Sequence, residues 1–255
     1  MVFITKMIMA KSEVFNIDCL EYMRTLPDKF FDLAIADPPY GINAPNMRMG
    51  SNKGYVSTAE KIRKGRLNSG GGKLRNRALN QMPCDWDFEP PTEDFFRELT
   101  RVSVNQIIWG GNYFRLPPTR CIVCWDKRQP WENFSQVEIA WTSFDYPAKL
   151  FSYGVCGGNP NQMRTKGKIH PTQKPVALYA YLLKQFAHEG DCIFDPMMGS
   201  QSSRIAAYKL GFDYVGCEID SKYYYDGLDY FNEECLGIFK TKTGHTLIQT
   251  DLFTE

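Results

Sequence analysis

Long apolar runs are missing from this sequence of 255 residues. A helix that spans a bilayer needs about 18 to 20 consecutive apolar residues, and no stretch of the chain reaches that length. The apolar start, residues 1–10, is interrupted by Thr5 and Lys6 and lacks the pattern of a secretory signal peptide. We therefore expect no membrane partner and no secretion.

Disulfide and metal-binding patterns are missing as well. The eight cysteines show no dense framework spacing, which favours reduced thiols inside a cell. Cys121 and Cys124 have the CxxC spacing, but no second pair supplies the four ligands of a structural zinc site. We expect a buried strand there and no bound metal.

A large excess of one charge is also absent. Thirty Lys and Arg residues against 29 Asp and Glu residues give a net charge of +1, whereas a nucleic-acid binder is expected to be basic. The near balance conceals a local asymmetry, because residues 43–84 hold nine basic residues and one acid, which makes this segment +8 and the rest of the chain −7. The basic residues are Arg48, Lys53, Lys61, Arg63, Lys64, Arg66, Lys73, Arg75 and Arg77.

The composition of this basic segment (residues 43–84) predicts a long mobile loop. It contains Gly70-Gly71-Gly72, several asparagines and few large apolar residues. Long loops without secondary structure are uncommon inside compact domains and are often functional. Two interpretations stay open, namely a solvated insertion or an arm that binds the phosphate groups of double-stranded DNA.

Strand-like and helix-like segments alternate along the rest of the chain. This rhythm predicts a single α/β domain over residues 1–255, with a doubly wound, mostly parallel sheet and an antiparallel edge. The predicted strands cover residues 14–17, 30–36, 106–109, 121–125, 137–142, 192–194 and 214–218. The predicted helices cover residues 19–26, 92–102, 175–188, 202–210 and 222–236. The last fifteen residues are expected to add an edge strand.

The first of two strand-end motifs is Asp37-Pro38-Pro39-Tyr40-Gly41, which follows an apolar strand. Ligands of open α/β sheets bind at the carboxyl ends of strands, near the point where the strand order reverses. Two consecutive prolines stop the strand and stiffen the turn, because each fixes φ and lacks an N–H donor. An acid, free carbonyl groups and an aromatic ring are thus held on one rigid corner.

The second motif, Asp195-Pro196-Met197-Met198-Gly199-Ser200, lies between a strand and a helix. Small residues at a helix N-terminus let the backbone approach a ligand closely. Glu218 follows Gly199 by 19 residues, about the distance of the ribose-binding acid in dinucleotide folds. Because a full GxGxxG is absent, the pattern favours an adenosine-bearing cofactor without a pyrophosphate.

Together the two motifs resemble those of the DNA amino-methyltransferases that use S-adenosylmethionine, which have a Rossmann-like methyltransferase fold. His170-Pro171-Thr172-Gln173-Lys174-Pro175 resembles a third motif of that family, which lies just before the cofactor strand. The catalytic motif precedes the cofactor loop, as in the circularly permuted beta class. Residues 109–114 and 125–128 are similar to segments of phage and prophage adenine methyltransferases.

The resemblance implies roles for individual residues. Asp37 and the carbonyl of Pro38 would accept the two N–H groups of an exocyclic amine, on a turn stiffened by Pro39, and Tyr40 would stack on the target base. The residues that the resemblance places at the cofactor are Asp18, Cys19, Asp37, His170, Thr172, Lys174, Asp195, Pro196, Met197, Gly199, Ser200 and Glu218. Thr172 and Lys174 would face its carboxylate. Family members carry a smaller Gly where Gln201 stands, which bears on cofactor affinity.

The resemblance also implies an activity. An Asp at the head of the Pro-Pro motif favours methylation of adenine N6 in a flipped-out base of double-stranded DNA, since cytosine-N4 members usually have Ser there. Cytosine N4 is the near alternative, RNA adenine a further one, and a non-catalytic nucleic-acid-binding subunit another. Residues 145–169 are a short candidate for target recognition, a homodimer is one expected assembly, and the expected location is the cytoplasm of a bacterium or a phage-infected host.

Overall fold

The computed structural model describes residues 10–42, 48–49, 77–78, 87, 89–128, 135–154, 169–170, 172–241 and 246–249. The first part of the chain forms β1 (Ser12–Phe15), α1 (Cys19–Arg24), β2 (Phe31–Ala36), β3 (Arg48–Met49), β4 (Arg77–Ala78), α2 (Glu93–Val102) and β5 (Ser103–Trp109). The second part forms β6 (Ile122–Asp126), β7 (Val137–Thr142), β8 (Lys149–Ser152), α3 (Val176–Phe186), β9 (Cys192–Asp195), α4 (Ser202–Leu210), β10 (Asp213–Cys217), α5 (Ser221–Phe231), a π-helical turn (Asn232–Leu236), β11 (Ile238–Lys240) and β12 (Thr246–Ile248).

Eight strands form the central sheet in the order β1-β10-β9-β2-β5-β7-β6-β8. Neighbouring strands are parallel from β1 to β5, β7 runs antiparallel to both β5 and β6, and β8 is again parallel to β6. From β2 the chain continues to β5, towards one edge of the sheet, and from β9 it continues to β10, towards the opposite edge. The strand order therefore reverses between β2 and β9, and the crevice for a ligand lies at their carboxyl ends.

The sheet is covered on both faces, because side chains of the central strands alternate between two apolar clusters. Leu33 and Ile35 of β2 point to a cluster that includes Leu178 and Leu182 of α3. Ala34 and Ala36 point to the other, which includes Leu99 of α2. Burial on both faces explains why the parallel strands read as nearly continuous apolar runs. The predicted doubly wound, mostly parallel α/β fold is confirmed.

Every strand and helix predicted from the sequence is present, with bounds that differ by a few residues. The acid of Asp18 begins α1 by accepting hydrogen bonds from the backbone of Leu20 and Glu21, and Asp220 caps α5 through Tyr223. Within the described ranges, no helix combines the length and the apolar character needed to span a membrane.

Two features of the chain differ from the expectation. The C-terminal strand is not an edge of the main sheet, because β12 pairs antiparallel with β11 in a separate two-stranded sheet. The sheet ends at β1 on one side and at β8 on the other. Strand β8 was not predicted from the sequence and lies within the predicted recognition segment 145–169. Residues 155–168 of that segment lie outside the described residues.

The basic segment is described only where β3 pairs antiparallel with β4, so that Arg48 lies opposite Ala78 and Met49 opposite Arg77. These two pairs bring the ends of the segment together at its base. The other basic residues predicted to bind DNA lie outside the described residues: Lys53, Lys61, Arg63, Lys64, Arg66, Lys73 and Arg75.

Candidate active site

The candidate site lies at the edge of the sheet where β2, β9 and β10 end. Asp37 follows β2, Asp195 is the last residue of β9 and Glu218 follows β10. These strands are adjacent and parallel, so their terminal carboxylates are neighbours. Because β7 is antiparallel, its beginning rather than its end lies at this edge, and Glu138 joins the site from there.

The Asp-Pro-Pro-Tyr turn is fastened from a distant part of the chain. The buried carboxylate of Asp87 accepts hydrogen bonds from the backbone nitrogens of Tyr40 at 2.6 Å and Gly41 at 3.0 Å. The ring of Tyr40 lies so close to Gly110 that an added Cβ there would lie 2.3 Å from its Cε1 atom. Tyr113, which is 44% exposed, stacks on Tyr40 at a ring distance of 5.0 Å and extends the aromatic surface towards solvent.

Both oxygens of Asp37 contact hydrogen-bond donors of the protein. Tyr40 donates its hydroxyl to Oδ1 at 2.7 Å, and the ammonium of Lys174 lies 2.5 Å from Oδ2. Lys174 also lies 3.2 Å from Oε2 of Glu138, which is in turn ion-paired with Lys127. The Lys174 ammonium is therefore placed between two carboxylates of the protein.

The electrostatics of this cluster follow from burial and charge. Burial lowers the pKa of Lys174, but Asp37 and Glu138 outweigh it, so the net pKa is raised and the ammonium stays charged. Burial raises the pKa of Asp37 although Lys174 opposes the shift. Burial would also raise the pKa of Glu138, but Lys174 and Lys127 lower it to about 2. Of the two carboxylates that share Lys174, Asp37 is thus the more basic.

Asp195 lies buried at the other side of the crevice. Its Oδ1 accepts the backbone N–H of Met197 at 3.0 Å and its Oδ2 accepts the hydroxyl of Ser203 at 2.5 Å. Burial raises its pKa to about 7, because these hydrogen bonds do not fully compensate the lost hydration. No basic side chain among the described residues is ion-paired with Asp195, so a cationic ligand group would find an unneutralised acceptor there.

Glu218 shapes the loop after β9 from the neighbouring strand. Its Oε2 accepts the backbone N–H of Gly199 at 2.8 Å, and its Oε1 accepts that of Asp220 at 2.9 Å. Gly199 has a φ of +48°, in the left-handed region that glycine adopts without strain. The carboxylate is mostly buried, and that burial raises its pKa.

Two aliphatic side chains flank Glu218. Ile17 is 36% exposed after β1 and Ile219 is 69% exposed after β10, and Asn16 ties the two strand ends by donating to the carbonyls of Glu218 and Ile219. This pair was not predicted from the sequence. The two residues predicted at this place, Asp18 and Cys19, have other surroundings. Asp18 caps α1 with its Oδ1 atom. Cys19 is buried, and this burial raises the pKa of its thiol to about 12.

The third motif packs beside the cofactor loop. The ring of His170 lies edge-on to Tyr223 at 4.4 Å and shares a hydrogen bond with Thr172 at 3.2 Å. A Cβ added at Gly199 would lie 3.6 Å from the same ring. Ser200 is buried and hydrogen-bonded to Ser202, whereas Met197 lies partly exposed on the loop after Pro196. Motifs that are separate in the sequence therefore meet around one crevice.

Gln201 points away from that crevice. Its side-chain nitrogen donates to the carbonyl of Tyr224 at 3.0 Å, and its oxygen accepts from Arg204 at 2.9 Å. The Gln201 amide packs against α5 at Gly227, where an added Cβ would lie only 2.6 Å from the amide nitrogen. The absence of a side chain at Gly227 therefore makes room for Gln201. The extra bulk relative to glycine is accommodated between α4 and α5.

Besides Ile17 and Ile219, sequence reasoning missed two acids of the site, Asp87 and Glu138. Each is an isolated acid in the sequence, without a motif around it. The signal for Glu138 was an acid in an otherwise apolar strand, which needs a buried partner when the strand lies inside a sheet. Asp87 carried no such signal, because it lies 46 and 47 residues from the amides that it binds.

Comparisons with known proteins agree with this geometry. The N6/N4 methyltransferase family model, described as DNA methylase, matches residues 125–229. The type II methyltransferase M.HinfI of Haemophilus influenzae is 23% identical over 253 residues, which cover 81% of this chain and 64% of that protein. The type II methyltransferase M2.MboI of Moraxella bovis is 24% identical over 247 residues, which cover 80% of this chain and 82% of that protein.

A solved structure shares the architecture. The PvuII DNA methyltransferase, a cytosine-N4-specific enzyme, superposes with a TM-score of 0.52 and 13% sequence identity, covering 86% of each chain. At this identity the similarity demonstrates the fold. Residues 125–229, which run from β6 to α5, thus match the N6/N4 DNA methylase family, and the central sheet has the fold of a DNA methyltransferase.

Proposed function

We propose that the chain is a DNA methyltransferase that transfers a methyl group from S-adenosylmethionine to the N6 amino group of adenine. The observation that carries the proposal is the position of the Asp37 turn beside Asp195 and Glu218, at the reversal point of the strand order. An amine-binding corner and a nucleoside-binding corner thereby face one crevice.

The groups around β9 and β10 fit this cofactor. The carboxylate of Asp195 suits its amino group, because a buried acid without a basic partner gains most from a cation. Glu218 can accept hydrogen bonds from the ribose hydroxyls. The exposed aliphatic side chains of Ile17 and Ile219 can make apolar contacts with an adenine ring. The bound cofactor supplies a methyl group on a sulfonium, which is already an excellent leaving group.

The catalytic turn prepares the acceptor amine. An exocyclic amino nitrogen is a poor nucleophile because its lone pair is delocalised into the ring. Asp37 and the Pro38 carbonyl accept hydrogen bonds from its two N–H groups, which favours a pyramidal nitrogen with a localised lone pair. This preorganised pair of acceptors supplies most of the acceleration. The base is flipped from the duplex at a cost of a few kcal/mol, and stacking on Tyr40 returns about 1–3 kcal/mol.

Adenine is the proposed base because Asp37, not Ser, heads the motif. The order of the motifs, with β2 before β9, supports membership of the beta class, and the residues around Trp109 and Trp125 support a phage-type enzyme. Cytosine N4 is the alternative, since an enzyme with that specificity has the same fold.

The test is expression in a host that lacks its own DNA methylation, followed by nucleoside mass spectrometry and single-molecule sequencing of the genome. N6-methyladenine at a defined site is the expected product. Detection of N4-methylcytosine instead would show that cytosine is the target base. Asp37→Ala is expected to abolish the product while DNA binding persists. If wild type yields neither base, and calorimetry detects no cofactor binding with or without DNA, only the non-catalytic binding role remains.

A further inference from the structure

Four charged residues form a continuous row along the site edge of the sheet. Lys127 is ion-paired with Oε1 of Glu138, the Lys174 ammonium lies 3.2 Å from Oε2 of Glu138, and the same ammonium lies 2.5 Å from Oδ2 of Asp37. We call these four residues the ionic row. Two cations and two anions alternate, so the row is neutral as a whole.

The antiparallel strand is what makes the row possible. Asp37 follows β2 and Lys127 follows β6, both at carboxyl ends of strands, with β5 and β7 between them. Glu138 is the second residue of β7 and lies opposite Trp125 of β6. If β7 ran parallel to its neighbours, its first residues would lie at the opposite edge of the sheet. The reversed direction therefore delivers Glu138 to the catalytic edge.

The row is buried enough for its charges to matter. The side chain of Lys174 is 4% exposed, and those of Asp37 and Glu138 are 19% and 22% exposed. The rings of Tyr40 and Trp109 enclose the ammonium at 5.6 Å and 5.3 Å. Oε2 of Glu138 is buried and lies 3.2 Å from the Lys174 ammonium, whose positive charge lowers the pKa of Glu138.

We propose that Glu138 is a positioning residue for methyl transfer, which draws part of the Lys174 charge away from Asp37. A one-to-one pair of Asp37 with Lys174 would fix the carboxylate but weaken it as a hydrogen-bond acceptor. A shared ammonium fixes the carboxylate in place and leaves it basic enough to accept hydrogens from the target amine. This inference rests on the proposed function, since it assigns Asp37 the amine.

Several other groups act on Asp37 from the elements around it. Tyr40 donates to it from the same turn, and the high pKa of this phenol keeps the hydroxyl protonated. Asp195 of β9 and Tyr179 of α3 interact with it electrostatically across the crevice. Glu138 also acts on Tyr40 and Tyr179, but the pKa values of both phenols are raised well above their ordinary value. Neither phenol therefore titrates at acid pH, and a shifted acid limb reports on the ionic row.

Two substitutions test the proposal because they act in opposite directions. In Glu138→Gln the Lys174 charge acts on Asp37 alone and lowers its pKa. The acid limb of the pH profile of kcat therefore moves to lower pH by about 0.5 unit or more, and kcat itself falls about tenfold. Lys127→Met releases Glu138 to bind Lys174 more strongly, so the acid limb moves to higher pH. The KM for the cofactor changes less than about twofold in both variants. The profiles are measured at saturating cofactor and DNA, where Asp195 is already paired.

A matched control is Glu98→Gln, which removes the carboxylate that Arg101 of α2 binds at 2.8 Å, remote from the crevice. This variant is expected to keep the wild-type acid limb. If both row variants also keep it, within about 0.2 pH unit, Glu138 has only a structural role and the proposal is overturned. Should Glu138→Gln fail to fold, as judged by circular dichroism, the upward shift in Lys127→Met alone decides.

A second measurement does not depend on activity. Carboxyl-carbon NMR of the free protein labelled at aspartate follows the titration of Asp37, assigned by the loss of its signal in Asp37→Asn. The titration midpoint is expected to fall in Glu138→Gln and to rise in Lys127→Met, and equal midpoints would contradict the coupling. A wild-type protein that methylates no DNA would refute the proposed function, whereas the NMR result still tests the ionic row.

Discussion

The carboxylate of Asp87 lies 2.6 Å from the backbone nitrogen of Tyr40, although 47 residues separate the two in the chain. It also accepts the N–H of Gly41, whose φ of +72° and whose close approach to Pro90 leave no room for a side chain. The Asp-Pro-Pro-Tyr turn is thus held at one end by the strand β2 and at the other by Asp87. The two prolines stiffen this turn, and Asp87, which follows the basic segment in the chain, fixes its end by hydrogen bonds.

We predict that Asp87→Ala lowers kcat about tenfold and lowers the melting temperature, because two amides of the turn lose their acceptor at a cost of about 1–3 kcal/mol each. Asp87→Asn keeps an acceptor oxygen and is expected to retain most of the activity. Cofactor affinity, measured by calorimetry, is expected to stay within about twofold in both variants. Equal activity of Asp87→Ala and wild type would show that the prolines alone hold the turn.

The pKa of Asp195 predicts a pH dependence of cofactor binding. On the proposed assignment, its carboxylate binds the cofactor ammonium only when ionised, and burial raises its pKa to about 7. Affinity is therefore expected to fall about tenfold per pH unit below pH 7. Isothermal titration calorimetry between pH 5.5 and pH 8.5 measures this slope, and a flat profile in the wild type would contradict the assignment.

Asp195→Asn provides the matched variant for that experiment. Asparagine can still accept from Met197, so the loop is expected to fold, but it cannot neutralise an ammonium. Binding is expected to be weak at every pH. In the unliganded wild type, the folded state holds a proton that the unfolded state has lost between pH 4 and pH 7, so stability falls as pH rises through that window. The variant is expected to lose this dependence in thermal unfolding.

Much of the fold could be predicted because its signals are local. Strand β7 and helix α4 follow the predicted bounds to the residue, since an apolar strand between turns and a helix ending at Gly211 are visible in the sequence. Edge strand β8 was missed because a single neighbouring strand and partial exposure leave only a weak alternation. The C-terminal strand was misplaced for a similar reason, as its exposed residues do not specify which sheet they join.

The site was predictable only in part, for a different physical reason. Asp37, Asp195 and Glu218 could be found because each ends a strand of a parallel sheet. Glu138 could not, since its contribution depends on the direction of β7, and the sequence of a strand does not encode whether its neighbour is parallel. The contact of Lys174 with Asp37 depends likewise on tertiary packing, because 137 residues separate the two in the chain.

Gln201 allows a test of whether the family glycine at this position serves the cofactor or the backbone. Its φ of +59° lies in the left-handed region, so glycine would relieve about 1 kcal/mol of strain. Glycine would also remove the acceptor of the largely buried Arg204 and the bond to Tyr224, at about 1–3 kcal/mol. We predict that Gln201→Gly lowers the melting temperature and leaves cofactor affinity within about twofold.

Arg128 is the matched control for that substitution. It also has a left-handed backbone, with a φ of +47°, but its side chain is mostly exposed and forms a long ion pair with Asp126. Arg128→Gly is expected to be neutral or slightly stabilising in thermal unfolding. A large gain in cofactor affinity for Gln201→Gly would mean instead that the wild-type side chain reaches into the crevice.

The basic segment is expected to bind DNA from a position beside the Asp-Pro-Pro-Tyr turn. It begins two residues after Gly41, β3 and β4 close its base, and Asp87 beyond its end returns to the turn. We predict that neutralising Arg63, Lys64 and Arg66 weakens DNA binding and reduces the slope of log Kd against log salt by about 0.9 for each lost phosphate contact. Kd measured by fluorescence anisotropy at four salt concentrations gives this slope.

The control for this slope replaces two other lysines by glutamine. Lys209 and Lys222 lie on helices α4 and α5 and are paired with Glu234 and Asp226. Their removal lowers the net charge without touching the basic segment, so the salt slope is expected to stay at the wild-type value. Because the body of the chain is acidic, a general loss of positive charge would weaken DNA binding in both variants alike. An equal decrease in the two slopes would therefore show that the basic segment is not part of the DNA interface. The salt dependence would then reflect the net charge of the protein alone.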